Sequence, residues 1–141
     1  MHDIMERTTR VEEPVAKSVL ERGEVLDMRK TVLSVPIAKP VQDYAIRLTL
    51  ATHPNASQSH ELTNKFVRFG ASPRGTQALV LGGKVQALLH DRAHVACADI
   101  RAVYFSALRH RILLNFEGEA EHIDPDDILK EIVEDVPEPR E

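Results

Sequence analysis

Apolar positions along this chain recur at helical rather than strand spacing. From Glu24 onward, Val25, Arg29 and Val32 share one face with Leu26 and Leu33 beside it, which predicts a helix. Pro36 ends that helix, because the residue before a proline is pushed out of the α region. A second helix is expected from Pro40, where a proline in the first turn removes no hydrogen bond. Its apolar stripe is Val41, Tyr44, Ala45, Leu48 and Thr52, and His53-Pro54-Asn55 stops it. The polar stretch 53–66 reads as a loop, and Val67-Arg68-Phe69-Gly70-Ala71 as a very short extended segment. Ser72-Pro73 then starts a third helix, a capping hydroxyl followed by proline at the first helical position. That helix is expected to run to about His90 and to bury Ala78, Leu81, Val85, Leu88 and Leu89. Gly82-Gly83 in its middle costs about 1 kcal/mol per glycine relative to alanine, so a close helix–helix contact is expected there.

A fourth helix is predicted from about Ala98 to Ile112, with Ile100, Val103, Tyr104, Ala107 and Leu108 inward. A fifth starts at Asp124-Pro125-Asp126-Asp127, buries Ile128, Leu129, Ile132 and Val133, and stops at Val136-Pro137. Residues 1–22 show no convincing periodicity and read as a connecting segment. The expected fold is therefore all-α, a small bundle of about five helices without repeats or βαβ alternation.

Composition narrows the function classes. The length of 141 residues fits one domain, with 43% hydrophobic and 28% charged residues in an ordinary globular mixture. The single cysteine, Cys97, cannot make an internal disulfide, which points to a reducing compartment and a cytoplasmic location. No apolar run approaches the ~20 residues that span a bilayer, so no membrane partner is expected. With no tryptophan and 4% aromatics, base-stacking platforms are not expected. The net charge of -4 conceals an asymmetry. Segment 62–116 holds eight basic residues (Lys65, Arg68, Arg74, Lys84, Arg92, Arg101, Arg109 and Arg111) but only Asp91 and Asp99 as acids. Segment 117–141 has two basic residues against eleven acidic ones.

Four features invite chemistry. Gly82-Gly83-Lys84 is not a phosphate loop: Ala78 stands at the first glycine position, Val85 follows the lysine, and the segment lies mid-helix. His90 and His94 have the i, i+4 spacing of metal ligands, but no third ligand is nearby, and they read as surface histidines flanking a turn. Cys97 at a helix start could have a lowered pKa, but lacking a basic partner it reads as a small structural side chain. Arg74 differs. It lies in the first turn of the Ser72-Pro73 helix, where a cation is mildly unfavourable unless an anion docks there, and its planar fork matches phosphate oxygens.

Gly70-Ala71-Ser72-Pro73-Arg74-Gly75 resembles the sensor 2 motif in the C-terminal lid subdomain of the MoxR family of AAA+ ATPases. Around it, Tyr44-Ala45-Ile46-Arg47-Leu48 with Ala51-Thr52 is similar to the family's Y-I-x-x-L…A-T-R helix, with His53 in place of the arginine. Asp91-Arg92-Ala93-His94-Val95 with Asp99-Ile100 resembles G-R-x-Y-V-x-x-x-D-V, and Leu108-Arg109-His110-Arg111-Ile112 resembles L-x-H-R-I. Asp91 replaces a glycine suited to a left-handed helix end, and Ala96-Cys97-Ala98 replaces a Thr/Ser-Pro-Asp/Glu helix start.

The resemblance implies a helical lid at 23–137, a preceding 1–22 that includes the tail of an ATPase core, and a disordered tail at 138–141. Arg74, Ser72 and Pro73 would be the nucleotide-binding residues of this sensor 2, with Arg74 reaching the γ-phosphate of ATP. The cofactors implied are ATP and Mg²⁺ in the full-length protein. The partners implied are the N-terminal AAA+ core, neighbouring subunits of a hexameric ring, and proteins with von Willebrand factor A domains. No catalytic residue and no metal site is expected within these residues, which lack Walker A and Walker B, so the lid alone would not hydrolyse ATP. Two other readings remain: a helical nucleic-acid-binding module using the basic middle, and a protein-docking bundle using the acidic C-terminal segment.

Overall fold

The computed structural model describes residues 1–9 and 16–139. Along them run α1 (His2–Thr8), α2 (Arg22–Ser34), α3 (Lys39–Ala51), α4 (Glu61–Phe66), β1 (Val67–Phe69), α5 (Pro73–Leu89), α6 (Cys97–Leu108), β2 (Leu113–Leu114), α7 (Phe116–Ala120) and α8 (Pro125–Asp135). The five longest helices are those the apolar spacing predicts. The fold is an all-α bundle with one tiny antiparallel sheet, in which Val67 pairs with Leu114 and Phe69 with Leu113.

Two compact units divide the chain, residues 1–30 and 31–141. In the first, α1 lies within 1–22, the stretch whose pattern reads as a connecting segment without periodicity. It buries no side chain, so it carries no apolar stripe to read, and local bonds such as Thr8 Oγ1 to the Ile4 carbonyl (2.8 Å) accompany it. Residues 10–15 of that segment lie outside the described residues, as do 140–141 of the expected tail. α2 begins in the first unit and ends in the second, and none of its side chains is buried, Val25, Leu26 and Leu33 included.

The second unit holds all the buried side chains among the described residues. Tyr44 and Leu48 of α3, Leu79 of α5, Ile100, Tyr104 and Leu108 of α6, and Ile128, Leu129 and Ile132 of α8 form its centre. The α8 face matches the apolar reading residue for residue, and Asp124 caps it by accepting from the Asp126 N–H (2.9 Å).

α5 is rotated relative to the expected face. Its buried stripe is Gly75, Leu79, Gly83 and Ala87, whereas Leu81, Val85 and Leu89 are exposed. The reason is steric. Small residues at four-residue spacing let α6 approach closely, and the bulkier apolar side chains are left flanking the contact. A Cβ on Gly83 would sit 2.8 Å from Ile100 Cδ1, and one on Gly82 would sit 3.2 Å from Val103. The close approach expected at this glycine pair is therefore present.

Three shorter elements depart from expectation. The predicted loop 53–66 contains α4, whose N-cap His60 accepts from the Leu62 N–H through Nδ1 (3.2 Å). The predicted fourth helix stops at Leu108 rather than Ile112, and the chain turns into β2. α7 follows, capped by Asn115, which accepts from the Gly118 N–H (2.9 Å). Each is too short for periodicity to register and is formed by caps and tertiary bonds. Among the described residues, no helix is long and apolar enough to cross a membrane.

Candidate functional site

The turn that carries Arg74 is mounted on the end of α3. Gly70 lies so close to that end that a Cβ there would come within 2.4 Å of the Thr52 carbonyl oxygen. Ala71 is held at both backbone groups: its N–H donates to Thr52 Oγ1 (2.9 Å), and its carbonyl accepts from His53 Nε2 (2.7 Å). Thr52 Oγ1 in turn donates to the Thr49 carbonyl (2.6 Å). One turn into α5, the Thr76 hydroxyl donates to Thr49 Oγ1 (2.9 Å), whose own proton goes to the Ala45 carbonyl (3.0 Å). On the other side, Gly75 abuts Leu108 and the aliphatic stem of Arg111.

Between these anchors Ser72, Pro73 and Arg74 are exposed. Pro73 takes the first helical position as expected, but Ser72 does not cap through its hydroxyl. The Gly75 N–H instead reaches the Ser72 carbonyl (2.7 Å), a tight first turn that uses a donor a capping hydroxyl would take. Pro73 also borders a groove of about 770 Å³ between α3 and α5, lined by Ile46, Leu50, His53, Val80 and Leu81 among others.

The basic segment around this turn is partly neutralised. Lys65 faces Glu117 and Glu121, Arg92 pairs with Asp99, Arg101 with Glu138 (2.8 Å) and Arg109 with Asp126 (2.8 Å). Lys84, which tops the false phosphate loop, donates to the Leu33 carbonyl at the end of α2 (2.9 Å). Among the described residues, Arg68, Arg74 and Arg111 have no acidic partner, and Arg74 and Arg111 both belong to the structure around the first turn of α5.

The other sequence motifs prove structural. Asp91 has φ 54°, the left-handed conformation that a glycine would adopt without strain. The Arg92 N–H reaches the Ala87 carbonyl (2.9 Å) and the Asp91 N–H the Leu88 carbonyl (3.1 Å), closing α5 in a Schellman pattern. Arg92 then folds onto the buried Asp99 carboxylate, which also accepts from the Ala96 N–H (2.9 Å). Burial pushes the Asp99 pKa up, but the guanidinium and the Ala96 N–H outweigh it and hold the carboxyl below its ordinary value. Asp99 thus supplies half a capping box for α6, and Ala96 has no hydroxyl for the other half.

Burial pushes the Cys97 thiol up, as suits an unreactive side chain. His90 ends α5 with Nδ1 on the Gln86 carbonyl (2.8 Å), and His94 is exposed. No group of three or more His, Cys, Asp or Glu among the described residues is placed to hold a metal ion.

The fold is thus a helical bundle with an exposed, anchored Ser-Pro-Arg turn at the start of α5. Residues 59–132 match the AAA lid domain family, and the chain belongs to it. Its similarity to MoxR proteins makes it a MoxR-type lid. It is 27% identical over 127 residues to the chaperone MoxR1 of Mycobacterium tuberculosis, covering 90% of this chain and 34% of that protein. It is 28% identical over 121 residues to the uncharacterized protein YeaC of Bacillus subtilis, covering 86% of this chain and 35% of that one. It is 37% identical over 78 residues to the protein MoxR of Methylorubrum extorquens, covering 54% of this chain and 22% of that one. The crystal structure of a candidate ATPase from Cytophaga hutchinsonii superposes with a TM-score of 0.82 at 28% identity, covering 99% of this chain and 42% of that one. The chain therefore spans about a third of the length of the first two of these relatives.

The motif in the sequence draws attention to Arg74, but nothing in it points to the mount beneath. Thr52 reads as part of the apolar stripe and His53 as a helix stop, and nothing in the pattern singles out Thr49 or Thr76. The one available signal was that His53 stands where the family pattern has an arginine, directly after Thr52.

Proposed function

We propose that this chain is the lid of a MoxR-like AAA+ ATPase that reads the γ-phosphate of bound ATP through Arg74 and converts its loss into movement of the lid. The observation that carries this reading is the setting of Arg74: exposed, without an acidic partner among the described residues, in a first helical turn pinned on either side. A guanidinium so placed keeps its donor fork available to phosphate oxygens, while the anchored turn keeps the entropy lost on contact small. Ser72 and Pro73 contribute the shape of the turn rather than charge.

ATP and Mg²⁺ belong to the core in this scheme, and ATP bridges core and lid until hydrolysis removes the contact. The lid then swings as a rigid body, and a ring of subunits passes the rotation on. The partners are its own N-terminal core and the neighbouring subunits of a hexamer. The client work is chaperone-like, on proteins with von Willebrand factor A domains, and takes place in the cytoplasm. The lid occupies 23–137, with 1–22 leading from the core and 138–141 as its tail.

In the intact ATPase, Arg74→Ala is expected to leave the fold unchanged and to lower ATP turnover at least tenfold, the scale on which a charge-assisted contact to phosphate acts. Wild-type turnover and wild-type assembly in that variant would remove the sensor assignment.

A further inference from the structure

The clamp on Ala71 assigns a role to a residue that the sensor 2 motif does not include. Of the two side chains that hold Ala71, Thr52 is accompanied by close backbone packing against Gly70, whereas His53 reaches across as a single half-buried donor. A carbonyl oxygen can only accept, so His53 Nε2 carries the proton in this bond. Ala71 lies three residues before Arg74, and the intervening Ser72 makes no side-chain cap bond to the helix. The direction in which the chain enters α5 is therefore set by the bonds at Ala71 on one side and by Thr76 on Thr49 on the other.

We propose that His53 is a positioning residue for Arg74: its imidazole fixes the carbonyl of Ala71 and so sets where the Arg74 guanidinium points. The proposal rests on Arg74 contacting nucleotide phosphate. It adds that the residue at 53, just past the end of α3 and 21 positions before Arg74, tunes how well that contact is made. Loss of the donor leaves α3 and α5 intact, because Thr52, Thr76 and the glycine contacts remain, and loosens only the turn between them.

The experiment is a double-mutant cycle in the intact ATPase, with MgATP as substrate and phosphate release as the readout. His53→Ala is expected to lower kcat about fivefold, the factor supplied by one hydrogen bond of ordinary net strength. His53→Gln, which restores an N–H donor on a flexible stem, is expected to return it to within about twofold of wild type. The decisive measurement is the double variant. Once Arg74 is gone its aim no longer matters, so His53→Ala with Arg74→Ala is expected to be no slower than Arg74→Ala alone.

Two slowing factors that multiply in the double variant would make His53 merely structural and overturn the proposal. So would wild-type turnover of His53→Ala beside an impaired Arg74→Ala. Wild-type turnover of Arg74→Ala would instead remove the phosphate reading itself, and this proposal with it. Should His53→Ala unfold the lid at the assay temperature, His53→Leu keeps the bulk, lacks the donor and replaces it in the same cycle.

Discussion

Arg92 and Asp99 show how one residue pair can hold together two parts of a motif separated along the chain. The carboxylate is buried, is bonded by the guanidinium and by the Ala96 N–H, and joins the end of α5 to the start of α6. Its folded pKa is lowered from the ordinary 3.8, so the ionised form is the one folding favours. That contribution is fully present above the unfolded value and is lost as pH falls through the folded one. Asp99→Asn is therefore expected to cost about 1–3 kcal/mol at neutral pH, because the buried carboxylate's hydrogen bonds with the guanidinium and the Ala96 N–H are lost or weakened. The difference from wild type should shrink steadily below pH 3.8, and urea unfolding across pH 2–7 measures it. A pH-independent difference would mean that Asp99 is not ionised in the fold. The motif residues that resemble the family's G-R…D pattern were visible in sequence; their pairing was not, because seven positions of separation span a turn whose direction depends on the left-handed Asp91.

Between elements, the α5–α6 contact dominates, and small residues make it possible. A large side chain at position 83 meets Ile100 and Val95 at once, so Gly83→Leu is expected to destabilise by about 2–3 kcal/mol despite leucine's better helix propensity. Thermal unfolding of the chain measures this. A gain in stability would mean that the helices separate without cost. The same contact explains why the buried face of α5 differs from the one its apolar spacing predicts. Apolar bulk marks a core face only where neighbouring helices stand at ordinary distance; where glycines and alanine draw a neighbour in, the bulky residues flank it. α8 obeys the ordinary rule position by position; α3 buries the expected Tyr44, Ala45, Leu48 and Thr52, leaves Val41 half-buried, and adds Thr49 and Ala51. The short elements α4, α7 and β2 are not legible, since five or six helical residues, or a strand of two, carry fewer than two full repeats of any pattern.

For the whole molecule, the charge asymmetry of the sequence becomes largely an internal matter. Lys65, Arg101 and Arg109 meet acids contributed by the C-terminal segment, so basic middle and acidic end compensate each other across the bundle. These exposed pairs add little stability, a few tenths of a kcal/mol each. Their effect is on the distribution of charge: among the described residues, Arg68, Arg74 and Arg111 of the basic segment are left without an acidic partner.

The division into units carries a further expectation. No side chain among the described residues of 1–30 is buried, so removing residues 1–21 should leave one cooperative transition within a few degrees of the original midpoint. Calorimetry of the trimmed chain tests it. Loss of the transition would show that the bundle depends on the first unit.

The helical class, the five long helices, most of the apolar face of α3, that of α8, and the helix start that carries Arg74 follow from periodicity, proline placement and a local motif. Which face of α5 is buried, which arginines are neutralised, and that Thr52 and His53 hold the turn emerge once the helices pack. Those outcomes depend on how closely helices distant in the chain approach one another. That distance is set by the bulk of residues on both partners together, and the pattern along either one alone does not contain it.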